Sequence, residues 1–372
     1  MALRYAIATG IWSNSAIWNG GTLPAPGDDV RASGFTVTID VDIIVSQIST
    51  AASAPALAGG GFVVSTNRTL TCDINTGTNT TLTASGGPNV TVIGNIYGIQ
   101  GGVGGLTVLF GSAASVLNIT GNIFGASNNS GGTVQSAGTV NFVGNAVSGA
   151  SHNTTSCIAI TSGGILVCTG NITGGAGNVA AAITMSGNTS TINGNIYSGG
   201  SASLGNAGLK ITAGTNTINA DCYGSNSAGS LSSALSVTGG TSIVVNGTVY
   251  AGTIVGSYGL SSTSTAVVVS NVEFTNGNTP INGFIKFKNT APTITVRKAN
   301  TTNQQLVEPS TIDTPITANV RNGITYASGT STGTLKVPSP LTVGLGVPTD
   351  NTFGTAVINI TDMGALLASF QS

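Results

Sequence analysis

The sequence has very little charge. Of its 372 residues only 10 are Lys or Arg and 11 are Asp or Glu, where an ordinary soluble protein carries about a quarter charged residues. The formal net charge is −1 and no basic cluster occurs. Electrostatic capture of nucleic acid or of anionic lipid therefore has no source, and neither is expected as a partner. No apolar run approaches the roughly 18 residues that a membrane helix needs. The first residues, MALRYAIATGIWSNS, lack the apolar core of a secretion signal, and the expectation is a chain made in a cytoplasm that leaves by another route if it acts outside. Cysteine is scarce as well. Cys72, Cys157, Cys168 and Cys222 show no CxxC spacing, which predicts buried thiols in place of disulfides or metal ligands.

What the chain has in abundance is glycine, 55 residues, within a composition that is 40% apolar. That apolar content suffices for a sizeable core, so the glycines punctuate ordered structure. They recur in a phrase: GNIY at Gly94, GNIF at Gly121, GNAV at Gly144, GNIT at Gly170 and GNIY at Gly194. Anchoring on the residue after the glycine and following divergent copies gives Asp73, Asn95, Asn122, Asn145, Asn171, Asn195, Asp221, Thr248 and Asn271. Eight steps cover the 198 residues from Asp73 to Asn271, a period of about 25 that identifies a repeat array.

Two apolar ladders keep step with the anchor. The residue after it is Ile74, Ile96, Ile123, Ala146, Ile172, Ile196, Cys222, Val249 or Val272, and three residues before it stand Leu70, Val92, Ile119, Phe142, Cys168, Ile192, Ile218, Val245 and Val268. Around them apolar and polar residues alternate, as in NVTVIGN, which is the period of a half-buried strand and excludes a helix. A second strand lies upstream, marked by Ile158 and Ile160, Ile183 and Met185, Leu209 and Ile211, and Leu235 and Val237. Each coil thus reads as an upstream strand, a turn, the strand before the anchor, a sharp GN corner and a short third strand. The fold class is all-β, a right-handed parallel β-helix with an N-terminal cap and a small C-terminal β-module. The corner suits Gly and Asn because both tolerate left-handed backbone angles. After the third strand come Gly/Ser/Asn-rich stretches of variable length, placed along one edge of the column, where binding surfaces are often built.

Few residues offer chemistry. Glycoside hydrolysis needs two carboxylates within about 5–10 Å, yet between residues 43 and 272 the only acids are Asp73 and Asp221. They share one register six coils apart, nearly 30 Å at about 4.8 Å per coil, and read as replacements for the corner asparagine. A site shared between chains is the remaining arrangement that could pair them. His152 stands alone without a nucleophile or carboxylate near it in sequence, so no triad is formed, and the glycine-rich stretches lack the GK[ST] of a phosphate loop. Asp28, Asp29, Asp40 and Asp42 could offer oxygen ligands to Ca²⁺ or simply occupy a turn and solvated strand positions. The latter is expected, with no catalytic residue, metal or cofactor. One column does invite recognition: Tyr97, Phe124, Tyr197, Tyr223 and Tyr250 each stand two residues after the anchor. They form either a stripe that contacts sugar rings or an aromatic stack covered by a neighbouring chain.

The ends differ from the array. Residues 1–50 are expected to cap it and supply opening strands, residues 51–300 to form the β-helix, and residues 301–372 to form a linker and a β-module. In the first segment Trp18, Gly21, Leu23, Pro24, Gly27, Asp28 and Val30 make the pattern W..G.LP..GD.V, which resembles the opening segment of many β-helix proteins of bacterial surfaces and phages. FIKFKN and TITVRK place a last coil or exit strand near 280–300. The tail, with Val320, Arg321, Gly323, Tyr326, Gly333, Thr334, Leu335, Val337 and Pro338, resembles a short β-module of phage virion proteins over roughly 45 residues.

This resemblance implies a component of the virus particle and a homotrimer that contacts other virion proteins such as the major capsid or tail proteins. The expected role is a capsid decoration protein or a head or tail fibre. A tail spike that recognises, or less readily cleaves, host surface polysaccharide is the first alternative, and a bacterial surface adhesin the second.

Overall fold

The computed structural model describes residues 2–264 apart from 52–56, 76, 78, 99–105, 127–132, 150–155, 162, 176–180, 188, 200–206, 226–232 and 254–256, together with strands between 267 and 298 and two hairpins between 325 and 353. His152, the linker and most of the tail motif lie outside these residues. The chain divides into two units, Met1–Pro309 and Ser310–Ser372.

The first unit is a parallel β-solenoid. Its described strands form one sheet of 20 strands and one of 12, because each coil contributes an upstream strand to one and the strands either side of the corner to the other. In a representative coil these are Val108–Phe110, Val116–Thr120 and Ile123–Phe124. The described coils pair parallel with the next, in register apart from shifts between Ile44 and Gln47 and between Val245 and Thr248, so Val116–Thr120 meets Asn89–Ile93 on one side and Thr139–Val143 on the other.

Register places like on like, and this builds the core. The ladder after the anchor runs Ile48, Ile74, Ile96, Ile123, Ala146, Ile172, Ile196, Cys222 and Val249, all fully buried. The second ladder runs from Leu70 to Val245 as the spacing predicts. Where Ala146 leaves room in one ladder, Phe142 stands in the other, and both are buried. The upstream strands stack Ile158 on Ile183, Leu209 and Leu235, and Ile160 on Met185, Ile211 and Val237. Burying one such aliphatic side chain contributes about 1.5–3 kcal/mol, so the repeat itself is the main source of cohesion.

The second ladder ends differently from its expected course. Val269, and not Val268, pairs with Val245, and the register shifts between Val245 and Thr248. The strand Val267–Phe274 runs through the corner position with no GN phrase, so one residue is missing from the bend and the inward-facing set moves by one. Val267 and Val269 are accordingly buried.

Residues 1–50 are continuous with both sheets. Leu3–Tyr5 pairs with Asp29–Arg31, which pairs with Ile43–Ser49, and Gly10–Ile11 pairs with Thr36–Thr38. The sheets therefore cross position 50 without a break. In this first coil Trp12 and Trp18 meet edge to face at 5.0 Å, Trp12 reaches Phe62 at 6.0 Å, and Trp18 Nε1 donates to the Trp12 carbonyl at 2.9 Å. These bulky rings are buried and fill the core of this coil. At the other end Ile281–Gly283, Lys286–Phe287 and Val296–Lys298 still add parallel to the preceding strands. Among the described residues of the second unit, Thr325–Tyr326 pairs antiparallel with Ser331–Thr332 and Pro348–Thr349 with Thr352–Phe353.

Candidate functional site

The corner and the column beside it concentrate the residues that could recognise or react. Gly94, Gly121, Gly144, Gly170 and Gly194 have φ between +138° and +153°, a region closed to most L-residues. Each also lies against the preceding coil: an added Cβ at Gly144 would overlap the Gly121 carbonyl, and one at Gly121 the Gly94 carbonyl. Glycine is required here twice over, by angle and by space.

The residue after the glycine repairs what the corner breaks. A backbone N–H in the bend has no strand partner, and the side chain of the preceding coil's anchor supplies one. Asp73 Oδ1 accepts from Asn95 N at 2.8 Å, Asn95 Oδ1 from Asn122 N at 2.9 Å and Asn122 Oδ1 from Asn145 N at 3.0 Å. Asn145 Oδ1 accepts from Asn171 N and Asn171 Oδ1 from Asn195 N, both at 3.1 Å, and Asp221 Oδ1 from Thr248 N at 2.7 Å. The asparagines thus bond to the next coil's backbone, an inter-coil clamp that the repeat pattern alone did not specify. A carboxylate oxygen serves as well as an amide oxygen, which accounts for Asp73 and Asp221.

The four N-terminal aspartates are engaged separately. Asp28 accepts from Ala2 N at 3.1 Å, Ala25 N at 3.0 Å and Arg4 Nε at 3.4 Å. Burial pushes its carboxyl up, but these donors together outweigh that and hold it below the usual value. Asp29 pairs with Arg31 at 2.7 Å, Asp40 accepts from Ser13 N at 2.9 Å and Asp42 from Thr69 N at 2.8 Å. Each carboxylate fastens a different stretch of chain. Among the described residues no group of three or more His, Cys, Asp or Glu converges as a metal site would.

The aromatic column lies one residue beyond the buried ladder and faces outward. Tyr97 pairs with Phe124, Phe124 with Val147, Val147 with Thr173, Thr173 with Tyr197, Tyr197 with Tyr223 and Tyr223 with Tyr250. All five rings are half-buried. Tyr97 and Phe124 stack at 5.0 Å and 11°, Tyr197 and Tyr223 at 5.1 Å and 12°, and Tyr223 and Tyr250 at 4.7 Å and 1°. The column is therefore two stacks, of two and three rings, separated by Val147 and Thr173. Within a stack each ring covers its neighbour's face, so what points outward is ring edge and, for tyrosine, hydroxyl. Asn195 Nδ2 donates to the Tyr197 hydroxyl at 3.2 Å and the Tyr223 hydroxyl donates to Asp221 at 3.3 Å, tying the stack to the anchors. Burial first, and then the Asp221 charge, raise the Tyr223 phenol to about 12.

The chain leaves the column directly after these residues and is pinned where it returns. Thr107 Oγ1 donates to the Tyr97 carbonyl at 3.0 Å, Thr133 Oγ1 to that of Phe124 at 3.3 Å, and Cys157 Sγ to that of Val147 at 3.1 Å. The described residues that flank the variable Gly/Ser/Asn-rich stretches are thus joined to each other beside the aromatic column. Sequence spacing located the column; the pinning hydroxyls, buried Thr residues on the inbound chain, were legible only as part of the polar background.

Comparison with protein-family models, with curated proteins and with solved structures finds no match. Residues and geometry alone therefore carry the functional reading.

Proposed function

We propose that this chain is a structural protein displayed on the surface of a phage particle, as a capsid decoration protein or a head or tail fibre, acting as a homotrimer against other virion proteins. The observation that carries this reading is the tail pattern from Val320 to Pro338 following a solenoid whose side chains go into inter-coil clamps and stacks. A solenoid of this kind is stiff, repeats one contact face and offers few charged residues to proteases.

The outer face of the strands before the corner supports association between copies. Ile44, Thr71, Ile93, Thr120 and Val143 form one outward column, and Ile44, Ile93 and Val143 are exposed by 60%, 45% and 53%. Large aliphatics recurring in one exposed column favour burial against a like face.

A second reading, a spike that recognises host polysaccharide, is favoured by the aromatic column beside the variable stretches. Both readings imply an assembled chain. Light scattering of the purified protein is expected to give three times the 36.4 kDa chain mass; a monomer at all concentrations would contradict the assembly.

A further inference from the structure

The interruption of the aromatic column is itself a feature. Val147 and Thr173 occupy the two coils between Phe124 and Tyr197, so those two rings stand three coil steps apart, about 14 Å at 4.8 Å per step. Phe124 stacks on Tyr97 and Tyr197 on Tyr223 through their far faces. The faces turned toward the interruption are left uncovered by any neighbouring ring in the column. The result is a notch with an aromatic wall at each end and a floor of one isopropyl and one hydroxyl-bearing side chain.

The anchors beside the notch respond to it. Asn145 and Asn171 are exposed, whereas Asp73, Asn95, Asn122, Asn195, Asp221 and Thr248 are half-buried. Asn145 Nδ2 bonds to Asn122 Oδ1 at 3.2 Å, while Asn171 Nδ2 meets no protein acceptor among the described residues. Two carboxamides thus border the notch, and one has a free donor. Between Asn95 and Thr248 the described charged residues are Lys210 and Asp221; Lys210 lies in the other sheet, paired with Thr184 and Ser236.

We propose that this notch binds a neutral oligosaccharide, with a pyranose ring packed against the uncovered face of Phe124 or Tyr197. The C–H faces of a pyranose carry partial positive charge and suit the negative face of an aromatic ring. Phe124 and Tyr197 each turn a face that no column ring covers toward Val147 and Thr173, and a pyranose can pack against either face. The carboxamides and Thr173 supply donors and acceptors for ring hydroxyls, and the absence of charge disfavours anionic or cationic ligands. This inference deepens the polysaccharide-recognising reading and rests on it, but not on where the chain sits on a particle.

The test uses the purified full chain on an array of immobilised oligosaccharides: neutral hexose and N-acetylhexosamine chains beside sialylated and sulfated ones. Wild type is compared with Phe124→Ala and with the double variant Val147→Tyr, Thr173→Tyr, which completes the ring column and fits its existing register. The expected result is retention on at least one neutral oligosaccharide, reduced about tenfold or more in both variants, with the double variant melting as wild type does. Retention on none, retention only on charged glycans, or equal retention by the filled variant overturns the proposal. So does a filled variant that changes the oligomeric mass while leaving glycan retention intact, since the notch would then receive side chains of a second copy. None of these outcomes bears on whether the chain is present in particles.

Discussion

Asp221 Oδ1 accepts a hydrogen bond from the backbone N–H of Thr248, 2.7 Å away in the next coil. A carboxylate thereby fills a place that asparagine fills in four other coils, and the oxygen, not the charge, is what the position requires.

Replacing Asp73 and Asp221 with asparagine should therefore leave the denaturation midpoint nearly unchanged. Asp221→Ala leaves the part-buried Thr248 N–H without its acceptor and should cost about 1–3 kcal/mol, read from chemical denaturation. Equal losses for the asparagine and alanine variants would show that charge matters and would undo the clamp account.

Glycine substitutions separate angle from space. Gly163 has φ +90° with nothing within 4 Å of an added Cβ, whereas Gly144 has φ +147° and its Cβ would overlap the Gly121 carbonyl. Gly163→Ala should cost about 1 kcal/mol, and Gly144→Ala clearly more than the roughly 1–3 kcal/mol of backbone strain alone. Melting temperatures of the two variants give the order directly.

All four cysteines are unpaired and buried. Burial lifts the thiols of Cys72, Cys157 and Cys168 to about 12, and that of Cys222 higher still. An aromatic disulfide reagent at mildly alkaline pH should find no reactive thiol in the folded chain and four after denaturation, since the thiolate is the nucleophile. Fast reaction of any one in native buffer would place it at the surface.

The tyrosine stack imposes a pH limit. Burial, followed by the Asp221 charge, raises Tyr223 from its ordinary 10.0 to about 12. A group that holds its proton more tightly when folded contributes stability that is full below pH 10 and disappears as pH rises from 10 toward 12. Ultraviolet titration should show tyrosinate appearing late, and Asp221→Asn should bring part of it to lower pH.

Much of the fold could be read because a stacked coil repeats its burial pattern in sequence. Ile74 through Val249 sit in one register, and the pairs Ile158/Ile160 to Leu235/Val237 stack as their alternation predicts. Val268 was misplaced because counting back from Asn271 assumes a GN corner, and that coil has lost it. The acceptors of the corner amides were invisible for a different reason: a bond between Asn95 and Asn122 joins residues that are adjacent only once the coils stack. Ring orientation is likewise a property of three dimensions. The GNAV and GNIT phrases already marked the break in the aromatic column, but only the stacking geometry makes it a notch.

The proposal that the chain is a virion surface protein is tested most directly by immunogold electron microscopy of phage particles recovered from the chain's source, with antibody raised against the recombinant chain. Gold over the capsid facets or along the tail is the expected result, the first indicating decoration or a head fibre and the second a tail role. Intact particles that carry no gold would contradict it.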